Sequence, residues 1–214
     1  MCGLYGFAGG PVDIEKVRRI AIGIEEKRGG HAFGFAWVYN GRLRMYKQAG
    51  SLALSPSAFD MLKGATMLIG HVRYATVGDT SDNSNNHPHA CDGGWLAHNG
   101  TLRGEVLMAG RTLPSIGDCD SELIARFVEV SPKRTFSDRI AHGLEFASSD
   151  GSQHALVGLW RSPAAIIAAT SGKPLHYSTT DRGETFIGSL PERLPGKVKA
   201  LDRGKILTVK HTRD

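Results

Sequence analysis

Met1-Cys2-Gly3-Leu4-Tyr5-Gly6-Phe7-Ala8-Gly9-Gly10-Pro11 opens the chain. Gly3 to Ala8 is short and apolar and stops at Gly-Gly-Pro, the pattern of a buried strand followed by a turn. Cys2 stands at the head of that strand, directly after the initiator Met. Its small side chain permits trimming of Met1. One residue then holds a thiol and a free α-amine, with reference pKa values of roughly 8.5 and 7.7–8.0. Nucleophile and base come as one unit, and no separate histidine is required. The alternative is a small residue buried in a first strand.

Outward from there, Val12 to Arg28 spaces Val17, Ile20 and Ile24 at helical intervals, with acids early and Lys27/Arg28 late. Gly29-Gly30 ends it. Phe33 to Tyr39 and Leu43 to Gln48 flank Asn40-Gly41, a strong hairpin signal. A short helix is expected after Pro56. Met67 to Val72 and Trp95 to His98 read as strands. Between them Gly78 to Asn86 has no apolar side chain, so a mobile or closing loop is expected. Ser121 to Val130 and Phe136 to Phe146 read as helices. Ala155 to Trp160, Ala164 to Ala169, Thr185 to Ile187 and Ile206 to Val209 read as strands. Helices inserted between hairpins favour antiparallel sheets covered by helices over a doubly wound parallel sheet.

The chain has 214 residues, 41% hydrophobic and 22% charged, which excludes wholesale disorder. Its 27 glycines follow no three-residue period, which excludes collagen. One domain over residues 1–214 is the simplest reading. No apolar run reaches the roughly 18 residues of a membrane span, and the N-terminus lacks a signal-peptide pattern. A cytoplasmic location is expected. Three cysteines, Cys2, Cys91 and Cys119, are too few for a disulfide scaffold, so reduced thiols are expected. Leu190 to Asp214 holds seven Lys/Arg against three acids, +4 of the net +5. No aromatics interleave with these charges, so a solvated edge strand and tail is favoured over a nucleic-acid surface.

Four further stretches could carry chemistry. Gly70-His71-Val72-Arg73-Tyr74-Ala75-Thr76 puts a fixed Arg at a strand end, where it can hold a carboxylate. In His98-Asn99-Gly100, a carboxamide beside a Gly N–H suits an oxyanion hole; the alternative is a plain turn. Asp120, ahead of an apolar run, could cap a helix or bind an ammonium. Asn86-His87-Pro88-His89-Ala90-Cys91 hints at a metal, but no second cluster completes four ligands.

Taken in order, Met1 to Gly6, Arg28-Gly29-Gly30-His31-Ala32-Phe33-Gly34, His71 to Thr76, Asn86 to His89, His98-Asn99-Gly100 and Asp120-Ser121-Glu122 resemble the class II glutamine amidotransferase domain, the glutaminase half of glucosamine-6-phosphate synthase and of amidophosphoribosyltransferase. The resemblance implies an α+β N-terminal-nucleophile (Ntn) hydrolase fold, a four-layer αββα sandwich of two antiparallel sheets. It implies that Cys2 attacks the side-chain amide of glutamine, its α-amine serving as base and then as acid to the leaving ammonia. Asn99 and the Gly100 N–H would stabilise the oxyanion. Arg73 would hold the glutamine α-carboxylate and Asp120 its α-ammonium, with Thr76 and His87 at flanking positions. Gly78 to Asn86 matches a lid.

The family commonly has an acid where this chain has His31, and often a polar residue at Val77. No cofactor or metal is implied. The partners implied are L-glutamine and, because no acceptor module follows residue 214, a separate ammonia-accepting enzyme, unless the chain is a fragment. Membrane is not implied, nucleic acid is disfavoured, and an oligomer stays open. A related amidase acting on a γ-glutamyl amide, or an idle binding module, remains an alternative.

Overall fold

The computed structural model describes residues 1–210. Arg213 and Asp214 of the basic tail lie outside the described residues.

The strands are β1 (Gly3–Ala8), β2 (Ala32–Tyr39), β3 (Arg42–Ala49), β4 (Met67–Arg73), β5 (His89–Cys91), β6 (Gly94–Asn99), β7 (Ala155–Arg161), β8 (Ala164–Thr170), β9 (His176–Thr179), β10 (Thr185–Gly188), β11 (Lys197–Ala200) and β12 (Ile206–Lys210). The helices are α1 (Ile14–Arg28), α2 (Gly104–Gly110), α3 (Asp120–Val130) and α4 (Phe136–Ala147). A 3-10 helix over Pro56–Leu62 stands where Pro56 announced a short helix.

Two antiparallel sheets result. One runs β11-β9-β10-β1-β4-β2-β3, the other β12-β8-β7-β6-β5. Helix α1 packs Val17, Ile20 and Ile24 on the first sheet, against Phe7, Phe33 and Phe186. Helices α3 and α4 pack Leu123, Ile124, Val128, Ile140 and Leu144 on the second, against Leu156 and Trp160. Between the sheets lie Leu4, Ala36, Ile69, Ala97, Val157 and Ile166. The four layers are therefore helix, sheet, sheet, helix, the expected αββα sandwich. Strands buried on both faces read as continuous apolar runs, which is why β1, β7 and β8 show no alternation. Each fully buried Leu, Ile or Phe contributes about 1.5–3 kcal/mol.

Local signals account for most boundaries. The Asp13 side chain accepts from Lys16 N at 3.0 Å and starts α1. Asn40 and Gly41 take φ of 48° and 68°, the geometry that turns β2 into β3. Strands β5, β9 and β11 and helix α2 had no clear sequence signal. Three or four residues of strand carry too little periodicity to be seen, and α2 lacks a side-chain cap. The basic segment forms the edge strands β11 and β12, one at the rim of each sheet. Lysines on such edges discourage pairing with another chain. No helix among the described residues is long and apolar enough to cross a membrane.

Candidate active site

The site is made where strand ends meet. Cys2 precedes β1, Arg73 ends β4 and Asn99 ends β6. In the first sheet Gly3 pairs with Val72, and Ala32 with Arg73. In the second, Asn99 pairs with Ala155 at the start of β7. Gly3 is tied to this arrangement by space: a Cβ there would lie 2.2 Å from Ile24 Cγ2 and 2.7 Å from Val72 Cγ2. Only glycine lets β1 slide between α1 and β4 directly after Cys2.

A cleft of about 600 Å³ opens over Cys2. Cys2, Thr76, Asn99 and Gly100 line it, together with Tyr74, Thr101, Arg103, Ser152, Gln153 and Lys173. The Cys2 thiol is held by the backbone of Tyr74, whose N–H donates to Sγ and whose carbonyl accepts from it, both at 3.4 Å. Burial pushes the thiol pKa up, against the Tyr74 backbone, the α-ammonium ahead of it and Arg73, which lower it. Asp120 adds an upward push, so both clamp candidates stand close enough for Cys2 to feel their charges. Thr76 Oγ1 meets Thr101 Oγ1 at 3.4 Å.

Asn99 is buried, and its Nδ2 has no hydrogen-bond partner. An unpaired buried donor costs about 1–3 kcal/mol, so it is a group waiting for an acceptor. Gly100 sits against two imidazoles: a Cβ there would lie 2.2 Å from His154 Nδ1 and 2.5 Å from His98 Nε2.

Arg73, His87 and Asp120 do not line the cleft. The buried guanidinium of Arg73 donates to Asn86 Oδ1 at 2.6 Å, to Gly78 O at 3.1 Å and to the carbonyl of Val77. Val77, where the family often has a polar side chain, thus acts through its backbone. Asp120 is the first residue of α3, with Cys119 at the cap position and making no side-chain cap bond. The Asp120 carboxylate instead accepts from Leu102 N at 2.6 Å, fixing the segment after the Asn99-Gly100 turn. Burial raises its pKa, opposed by the amide donors. His87 is buried and stacked on His71 at 3.9 Å, with His89 edge-on at 4.6 Å. Burial first, with the neighbouring imidazoles and Arg73 opposing a second positive charge, holds it well below the usual histidine range. Among the described residues, no group of three or more His, Cys, Asp or Glu is arranged to hold a metal.

The loop from Gly78 to Asn86 corrects an expectation. It is anchored rather than loose, and the anchors are its own amides. Asn85 Oδ1 accepts from Asp118 N and Cys119 N at 2.6 and 3.0 Å, and Asn85 Nδ2 donates to Asp79 O. Asn86 Nδ2 donates to Thr80 O, and Lys47 donates to Asn86 O. Asn85 and Asn86 bury here because their side-chain amides are paired, which hydrophobicity alone does not reveal. His31 fills the place of the family's acid differently: its Nδ1 accepts from Ala75 N at 3.0 Å and its ring stacks on Tyr74. It thereby braces the segment that holds Cys2. The cleft residues that sequence reading missed, Arg103, Ser152, Gln153 and Lys173, lie on loops without a motif.

No protein-family model matches the chain. Among curated proteins, it is 34% identical over 212 residues to the glutamine–fructose-6-phosphate aminotransferase of Chlorobaculum tepidum, covering 88% of this chain and 32% of that one. The corresponding enzyme of Pyrococcus horikoshii is 30% identical over 202 residues, with 88% and 32% covered. The chain thus spans about a third of the length of the curated relatives it matches. Among solved structures, the B. subtilis glutamine phosphoribosylpyrophosphate amidotransferase superposes with a TM-score of 0.73 at 19% identity, covering 100% of this chain and 50% of that one. A glutamine aminotransferase class-II domain protein from Silicibacter pomeroyi gives 0.66 at 17% identity, covering 98% and 95%. With the layer order and these relatives in agreement, the chain belongs to the class II glutamine amidotransferase domain family.

Proposed function

We propose that this chain hydrolyses L-glutamine to glutamate and ammonia through a γ-glutamyl thioester on Cys2. The observation that carries the reading is Asn99 Nδ2, a buried and unpaired donor on the wall of the cleft that holds the Cys2 thiol. Once Met1 is removed, the Cys2 amine takes the thiol proton as Sγ attacks the amide carbon. Asn99 and the Gly100 N–H receive the oxyanion. The amine returns the proton to the departing ammonia, and water then releases glutamate. Arg73 holds the α-carboxylate and Asp120 the α-ammonium. Thr76 flanks the substrate from the cleft wall, with His87 behind Arg73. Residues 1–214 act as one cytoplasmic domain that hands its ammonia to a separate acceptor enzyme.

The cleft, at about 600 Å³, falls in the range of sites for ligands larger than a single amino acid. That favours, as a second reading, a γ-glutamyl amide of a larger amine. Purified protein with glutamine, and with a panel of γ-glutamyl amides, separates the two. Mass spectrometry of the intact chain first establishes whether Met1 has been lost. Absence of glutamate release from every substrate, together with a Cys2 thiol untouched by 6-diazo-5-oxo-L-norleucine, overturns both.

A further inference from the structure

Behind the Asn99-Gly100 turn runs a column of side chains that the reaction above leaves unused. Ser121 Oγ lies 2.8 Å from His98 Nδ1, and His98 Nε2 lies 2.8 Å from His154 Nδ1. His154 Nε2 lies 2.6 Å from Ser152 Oγ, and Ser152 lines the cleft. Both imidazoles are buried. Burial keeps them neutral, His154 down to about 4 and His98 well below its ordinary value. Two neutral rings facing each other nitrogen to nitrogen share one proton, so the contact is a directed hydrogen bond and not a repulsion.

That bond is the floor of the turn. The absent Cβ of Gly100 would fall 2.2 Å from His154 Nδ1 and 2.5 Å from His98 Nε2, the same two nitrogens that bond each other. The His98 carbonyl is held in turn by His71 Nε2 at 3.1 Å. His154 is pinned from its own side, its N–H donating to Ser171 Oγ at 2.8 Å. A rotation of either ring would push into Gly100 or open a void beneath it.

We propose that His154 is a positioning residue: through its hydrogen bond to His98 it sets the height and angle at which the Asn99 amide and the Gly100 N–H meet the reacting carbonyl. The proposal rests on the glutaminase reading. Oxyanion donors act only when their geometry matches the developing charge, so a shift of the floor affects the rate more than binding. The Ser152 end is peripheral, because the turn rests on the His98–His154 contact.

Three variants separate the two ends of the ring. His154→Asn keeps an acceptor near Nδ1 and so keeps His98. His154→Gln reaches toward Ser152 and abandons His98. Ser152→Ala removes the outer contact alone. The probe is alkylation of Cys2 by 6-diazo-5-oxo-L-norleucine, followed by intact mass and resolved into maximal rate and half-saturating concentration. His154→Asn is expected within about threefold of wild type, and His154→Gln about 10- to 100-fold slower in maximal rate with half-saturation unchanged; Ser152→Ala, at a residue of the cleft wall, is read by NMR alone. In two-dimensional NMR the Gly100 amide resonance should move in His154→Gln and stay near its place in His154→Asn.

Equal rates in wild type and His154→Gln overturn the proposal, as does a Gly100 resonance that moves as far in Ser152→Ala as in His154→Gln. If wild type itself resists the alkylator, the glutaminase reading fails, and the NMR arm decides the positional claim alone. A Gly100 resonance unmoved in His154→Gln then overturns it.

Discussion

Arg73 and Asn86 are joined by a 2.6 Å hydrogen bond from Nη1 to Oδ1, so the end of β4 and the end of the polar loop are one mechanical unit. The same guanidinium also holds the carbonyls of Val77 and Gly78. These partners take three of the five guanidinium N–H donors, so a carboxylate held by Arg73 would share the group with the loop. Under the proposed clamp, glutamine binding and loop position are coupled. Arg73→Lys, which loses the fork but keeps the charge, should raise KM for glutamine at least about tenfold, with a smaller effect on kcat. Asn86→Ala should loosen the loop and raise amide hydrogen exchange from Gly78 to Asn86. Steady-state kinetics and exchange mass spectrometry check the two; an unchanged KM in Arg73→Lys would remove Arg73 from the clamp.

Asn99 offers a separation of activity from stability. Its Nδ2 is buried and unpaired, so removing it relieves a cost rather than breaking a bond. Asn99→Ala should lower kcat about 10²- to 10³-fold while the melting temperature stays level or rises. Kinetics and a thermal melt on the same preparation test this. A melting temperature that falls sharply would mean that Asn99 is a structural residue.

The buried histidines set a pH window. Burial lowers the pKa of His71 to about 3 and of His154 to about 4, and takes His87, His89 and His98 well below the ordinary 6.5. The unfolded chain protonates these rings near 6.5, while the folded chain refuses the proton. Their contribution is thus full above about pH 6.5 and is lost as pH falls toward 4 and 3. Each ring contributes a slope approaching about 1.4 kcal/mol per pH unit inside that window. Asp120, raised by burial, has the opposite sign just above 3.8 and softens the slope. Urea unfolding at pH 7, 6 and 5 should show steeply falling midpoints, and His154→Asn should flatten the fall. A midpoint level across this range would contradict the burial of the cluster.

The three thiols should react unequally. Cys91 and Cys119 are each 3% exposed, and burial pushes them up to about 12 and about 11. Cys2 is half-buried and opens on the cleft. Iodoacetamide at pH 8 should add one group to the native chain, on Cys2, and three after unfolding. Peptide mapping checks the position; early modification of Cys119 would show the α3 side of the site to be open.

The sequence by itself determined the strand-helix layout and the residue types of the site. Gly3 to Ala8, the Asn40-Gly41 hairpin, the Asp13 cap and the runs from Ala155 to Ala169 are local signals, set by backbone sterics and burial over a few residues. Cys2, Asn99 and Gly100 could be named as candidates only through the order and spacing of the motifs, since each alone reads as a buried strand residue or a plain turn. What stood where was decided only by the tertiary structure. That Arg73 and Asp120 lie buried behind the cleft and not on its wall depends on two sheets packing face to face, which no local signal carries. That His154, with no motif of its own, lies under Gly100 depends on β6 pairing with β7, a contact between residues more than fifty positions apart. The loop from Gly78 to Asn86 makes the same point. Its composition reads as solvent-exposed, yet Asn85 and Asn86 are buried, because distant backbone N–H groups and the Arg73 guanidinium satisfy their oxygens and the loop's own carbonyls their amide nitrogens.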